Sequence, residues 1–185
     1  MGNKINNITY ITGNQSKADY LASYLGHPIL HQKIDLDEIQ SLDLKEIIKH
    51  KVRQAYNIIK KPVVVEDTSL EFKALGKLPG PFIKYFLEQM SYEDICSLVK
   101  GKNRDATARC VYGYFDGENE AYFEGSMNGT VAEKPAGDRG FGFDKIFIPE
   151  GFNITRAELN AEDHKAGYLK IKPIGQLKDF LLNLK

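Results

Sequence analysis

The chain has 185 residues, enough for one domain with a full hydrophobic core, and its 25 Lys plus Arg are matched by 25 Asp plus Glu. A net charge of zero argues against a broad electrostatic grip on nucleic acid, and no apolar run approaches the roughly 20 residues that a membrane helix needs. Cys96 and Cys110 show neither zinc spacing nor a dense disulfide pattern, and Met1-Gly2-Asn3-Lys4 carries no apolar leader, so the expectation is a cytoplasmic protein with reduced thiols.

Residues 5–11 are rich in Ile, Thr and Tyr and read as a first strand. Thr12-Gly13-Asn14 then turns the chain, and Ser16 is a candidate cap for a helix running to about Leu25, where Gly26 and Pro28 supply a stop. Residues 29–34 read as a second strand and residues 35–41 as an acidic loop. Asp43 opens a long helix to about Ile59, with Leu44, Ile47, Ile48, Val52, Ala55, Ile58 and Ile59 on its apolar stripe. Val63-Val64-Val65 is a short β-branched run of the kind buried on both faces. The order β–α–β–α–β indicates an α/β fold.

Residues 76–81 form a Gly/Pro loop, followed by a helix over 82–90 and a second helix through Val99 capped by Ser91 with Asp94 three residues on. Residues 106–115 and 121–131 read as strands joined at Asp116-Gly117. A glycine-rich loop spans 135–143, a short strand ends at Phe147-Ile148, and helices are predicted over 157–165 and 173–184. No repeat or linker divides the chain, so residues 1–185 are expected to form a single domain.

Five segments have the residue types for chemistry. Thr12-Gly13-Asn14-Gln15-Ser16-Lys17 lies where a strand opens into a helix, a place that favours an anion, although an ordinary β–α turn has the same pattern. Glu66-Asp67-Thr68-Ser69 is expected at the C-terminal end of the valine strand, where α/β sheets bind ligands. Adjacent carboxylates there are costly unless a cation or hydrogen bonds compensate, and one of them can orient or deprotonate a water; capping of the next turn is the alternative. Asp35-Leu36-Asp37-Glu38 is either a solvated acidic loop or the source of a further metal ligand in Glu38. Gly140-Phe141-Gly142-Phe143-Asp144 offers rings to stack on a base and an acid to read its edge, or else two plain core aromatics. The basic run around Asp163-His164-Lys165, with Lys170, either reaches a ligand or is solvated surface charge.

Taken in order, these segments resemble the inosine triphosphate pyrophosphatase family, over residues 8–177. The most specific part is Val64-Val65-Glu66-Asp67-Thr68-Ser69-Leu70 followed by residues 74–87, Ala-Leu-Gly-Lys-Leu-Pro-Gly-Pro-Phe-Ile-Lys-Tyr-Phe-Leu. Thr12-Gly13-Asn14 with Lys17 matches the family's phosphate loop, Glu38 its metal-binding glutamate and Lys51 a substrate-binding lysine. Phe141-Gly142-Phe143-Asp144 matches its base-pocket motif, with Phe143 where the family usually has tryptophan. Near the C-terminus the family carries a lysine and then Ser-His-Arg. Here either His164 or Lys165 takes the lysine's place, and Tyr168-Leu169-Lys170 stands for Ser-His-Arg.

The resemblance implies a long mixed, twisted sheet flanked by helices, in two lobes with a central cleft, and a homodimer. It implies hydrolysis of non-standard purine nucleoside triphosphates such as ITP, dITP and XTP to the monophosphate and pyrophosphate, a reaction that cleanses the nucleotide pool. Mg²⁺ would be held by Glu38, Asp67 and Glu66, with Asp67 as general base and Glu66 in support. Residues 12–17, Lys51 and Thr68 would bind the triphosphate, and Phe141, Gly142, Phe143, Asp144, Lys165 and Lys170 the base end. Two other readings are a related pyrophosphatase of Maf-like base preference and a catalytically silent nucleotide-binding module.

Overall fold

β-Branched and apolar residues at the start of the chain are placed side by side in the computed structural model, which describes residues 7–184. β1 (Thr9–Ile11) is buried along its whole length and pairs in parallel with β2 (Leu30–Gln32) and with β3 (Val63–Phe72). Thr9 registers with Leu30 on one side and with Val63 on the other. β2 is exposed throughout, as an edge strand is. The predicted first strand began at residue 5; residues 5 and 6 lie outside the described residues.

The complete sheet has seven strands in the order β2-β1-β3-β5-β6-β7, with β4 (Pro79–Gly80) antiparallel to β3, so it is mixed and open, and helices flank it. β5 is Asp105–Phe115, β6 Glu120–Val131 and β7 Phe147–Pro149, the last antiparallel to β6. By their contacts the residues fall into two compact units.

The first unit comprises the described residues up to Asp67, Val111–Glu124 and the residues from Pro173 on. α1 (Gln15–Leu25) and α6 (Ile174–Asn183) meet in it. α1 starts two residues earlier than a Ser16 cap would allow. Asn14 caps it, because its short side chain in an extended backbone reaches back to the Lys17 N–H. Gly26 ends the helix at φ 75°, a left-handed conformation that costs a residue with a Cβ more than it costs glycine. α2 (Leu44–Ile59) is capped by Asp43 as expected and buries Leu44, Ile47, Ile48, Val52 and Ala55. These pack with Ile11, Val63, Val65 and Val111 as one core. Ile58, assigned to the same stripe, is exposed at the helix end, just before the C-cap Lys60.

The second unit comprises Thr68–Cys110 and Gly125–Lys172. It holds α3 (Ile83–Gln89), α4 (Tyr92–Ser97) and α5 (Ala161–Ile171). Ser91 caps α4 through the Asp94 N–H. Arg104 ties this unit together: its Nε donates to the Val131 carbonyl at 2.7 Å and its Nη2 to the carbonyls of Cys96 and Ala132. The helix predicted over 157–165 is two elements: a 3-10 turn over Arg156–Glu158, then α5, which begins after the Asn160 cap. The break follows from Asn160, whose side chain takes the Asp163 N–H and restarts the helix four residues late. Among the described residues no helix is long and apolar enough to cross a membrane.

Candidate active site

In the first unit β3 sets the geometry, and it corrects the sequence reading of this segment. The strand continues to Phe72, so Glu66, Asp67 and Thr68 lie inside it and not at its end. Ser69, Leu70 and Phe72 are buried beyond the acids and keep the strand in register. Successive side chains leave a strand on opposite faces, so Glu66 and Asp67 point apart. Their partners differ accordingly: Glu66 pairs with Lys17 at 2.6 Å, and Asp67 pairs with Lys51 at 2.6 Å.

Lys51 projects from the buried stripe of α2, seven residues after Leu44, at a helical position where an apolar residue is the norm. Its ammonium also lies 2.6 Å from Glu38, so one lysine bridges the acidic loop and the strand. Burial works to lower its pKa. The charge and hydrogen bond of Asp67, then those of Glu38, outweigh that and raise the value above 10.5, so the ammonium stays charged. The turn before α1 is organised by its own side chains. The Asn14 N–H donates to Thr12 Oγ1 at 3.1 Å, and the Lys17 N–H donates to Asn14 Oδ1 at 3.2 Å. Gln15 bonds Asp19 on the exposed side of α1, and Ser16 and Gly13 are exposed.

The groups form two sets on β3, Lys17 with Glu66 and Lys51 with Glu38 and Asp67, three carboxylates and two ammonium groups with a sum of 2 − 3 = −1. Glu38 and Asp67 converge on one point and Glu66 leaves on the other face. Among the described residues no set of three or more His, Cys, Asp or Glu is arranged as a ready metal cage. Hard oxygen donors from one or two carboxylates are nonetheless what Mg²⁺ takes when phosphate oxygens complete its shell. The donor chemistry of Glu38 and Asp67 fits that ion.

The second unit carries the other segment. Phe141 precedes a 3-10 turn over Gly142–Lys145 and is 40% exposed, whereas Phe143 packs edge-on against the buried Phe147. The two rings thus separate into one exposed ring and one half-buried ring packed on Phe147. Asp144 is buried; its Oδ2 accepts the Phe141 N–H at 3.2 Å and lies 3.3 Å from His164 Nε2. Its Oδ1 accepts from Arg156 Nε at 2.8 Å. Burial raises the Asp144 pKa, but the His164 hydrogen bond, the Arg156 charge and the Phe141 N–H together hold the carboxyl below its ordinary 3.8.

His164, one turn into α5, is the residue brought to Asp144; Lys165, Leu169 and Lys170 are exposed on the same helix. Arg156 has no place in the sequence reading. The one signal that pointed to it was indirect, namely that α5 has no arginine of its own.

The model of the Ham1 family matches residues 8–180. An inosine triphosphate pyrophosphatase of Trypanosoma cruzi is 40% identical over 182 residues, covering 96% of this chain and 93% of that protein. The inosine triphosphate pyrophosphatase of Yarrowia lipolytica is 34% identical, covering 94% and 95%. In three dimensions the Ham1 protein of Staphylococcus aureus superposes with a TM-score of 0.79 at 25% identity, over 94% of this chain and 97% of that one.

Proposed function

The chain belongs to the Ham1 family, and we propose that it is a Mg²⁺-dependent nucleoside triphosphate pyrophosphatase acting on non-standard purine nucleotides (ITP, dITP, XTP). The observation that carries this is Lys51: a lysine in a core stripe, held charged at 2.6 Å from both Glu38 and Asp67. A buried cation between two acids is costly for a merely structural device, and it is well suited to a site that exchanges carboxylate partners for phosphate.

In the proposed reaction water attacks the α-phosphorus, and the bond to the oxygen bridging the α- and β-phosphates breaks. Pyrophosphate leaves with that electron pair, and the nucleoside monophosphate remains. Asp67 takes the proton of the attacking water. Lys17 and Lys51 hold non-bridging phosphate oxygens, and N–H groups of the turn at the start of α1 other than those of Asn14 and Lys17, which its own side chains take, add donors. Glu38 and Asp67 would hold the Mg²⁺, which when bound neutralises phosphate charge and makes a water more acidic. Glu66, committed to Lys17, orients that lysine. Phe141 supplies the stacking face at the base end, while Phe143 packs against Phe147. The reading extends to a cytoplasmic homodimer. Sedimentation equilibrium at micromolar concentration should then give twice the 20.9 kDa chain mass, and a single-chain mass would remove the dimer.

Asp67→Asn tests the mechanism. The expected outcome is a fall of about 10²–10⁴-fold in kcat on ITP with a small change in KM. Full pyrophosphate release by Asp67→Asn would show that the base is elsewhere. A nucleotide panel tests the substrate class: ITP and XTP are expected to lead dTTP and UTP, and the reverse order would contradict the purine assignment.

A further inference from the structure

Arg156 is the bulkiest of the fully buried side chains among the described residues. It is a charge in the interior, and not all of its donors are spent: Nε goes to Asp144 at 2.8 Å and Nη2 lies 3.5 Å from His164 Nε2, but the buried Nη1 has no hydrogen-bond partner. Gly167 on α5 makes the room, since a Cβ there would stand 2.9 Å from Nη1. An ion pair of this kind is no better for stability than apolar residues of equal volume. Its value therefore lies in what it holds.

What it holds is the turn that carries Phe141. Gly140 at φ 73° and Gly142 at φ 62° flank that residue in left-handed conformations, so the ring sits between two hinges. One carboxylate restrains them. Asp144 Oδ2 lies directly against Gly140 and accepts the Phe141 N–H, while Tyr92 donates to the Gly142 carbonyl at 3.0 Å from the other side. Asp144 itself is held on its other oxygen by Arg156, whose planar guanidinium donates one hydrogen bond from Nε to Oδ1 at 2.8 Å. His164 closes the third side.

We infer that Arg156 is the positioning residue for base binding: through Asp144 it locks the Gly140–Gly142 turn and presents Phe141 for stacking on the base. This rests on the nucleotide reading above. The cation beside Asp144 comes from the 3-10 turn before α5, whereas Lys170 on α5 stays exposed. The substrate class is one with a planar base.

The test compares a substrate that has a base with a competitor that has none. For Arg156→Met we expect KM for ITP to rise about tenfold or more while kcat at saturation stays within about threefold. The inhibition constant of inorganic tripolyphosphate, which offers phosphates alone, should move less than about twofold. Arg156→Lys keeps the charge without the fork, so it should give an intermediate KM and carries the test if the methionine variant does not fold, as judged by thermal melting. An unchanged KM for ITP in a folded variant would overturn the inference, and so would a parallel loss of tripolyphosphate binding. A wild-type enzyme with no triphosphate turnover would instead overturn the hydrolase reading itself, and this inference with it.

Discussion

Single side chains divide here into those that declare themselves locally and those that do not. Glu38 and Asp67 stood out in their own neighbourhoods, as acids following the second and third predicted strands, whereas Lys51 came only with the family resemblance. Arg156 was not legible, since its burial depends on Asp144, twelve residues earlier, and on the space left by Gly167. The same cluster gives a pH prediction. The Asp144 carboxyl titrates lower in the folded chain than in the unfolded one, where it is about 3.9. The unfolded state therefore takes up the proton first as pH falls. The stability from this group is present above about pH 4 and is lost as pH drops through the lower folded value. Thermal melts from pH 7 to pH 3 should show a shallower acid decline in Asp144→Asn than in the wild type. Parallel declines would mean that the pairing contributes nothing to acid sensitivity.

At the scale of elements, periodicity gave existence and type well and boundaries less well. α2 was read nearly to the residue because its apolar spacing and its Asp43 cap agree. β3 was read too short. Two adjacent acids look like the end of a strand in one dimension, but they sit on opposite faces in the sheet and each finds a lysine. The helix predicted over 157–165 was split for a related reason, since Asn160 offers the backbone a local alternative in the middle of a helical pattern. The packing of α2 on the sheet can be measured. Gly113 of β5 sits where a Cβ would meet Ile48 Cγ2 at 2.5 Å, so helix and strand are in close contact and leave little slack. Ile48→Ala should therefore cost about 2–5 kcal/mol in denaturant unfolding, with an unchanged m-value. A cost below about 1 kcal/mol would show that the site collapses freely around the cavity.

For the whole molecule, the α/β class followed from the order of the elements, the mixed character of the sheet came with the family resemblance, and its seven strands are read from the structure. Two partial sites result, one built on β1, α1, α2 and β3 with a surplus of one negative charge, the other on the turn around Phe141. The first has the residues for phosphate and proton chemistry, the second for a base. The central claim is one reaction with one cleavage position, and the products report it directly. ITP incubated with the enzyme and Mg²⁺ in ¹⁸O-labelled water, followed by ³¹P NMR, should yield IMP and pyrophosphate in equal amounts, with the label on IMP. Release of orthophosphate with IDP, or label on pyrophosphate, would contradict the account, as would a complete absence of turnover at saturating Mg²⁺.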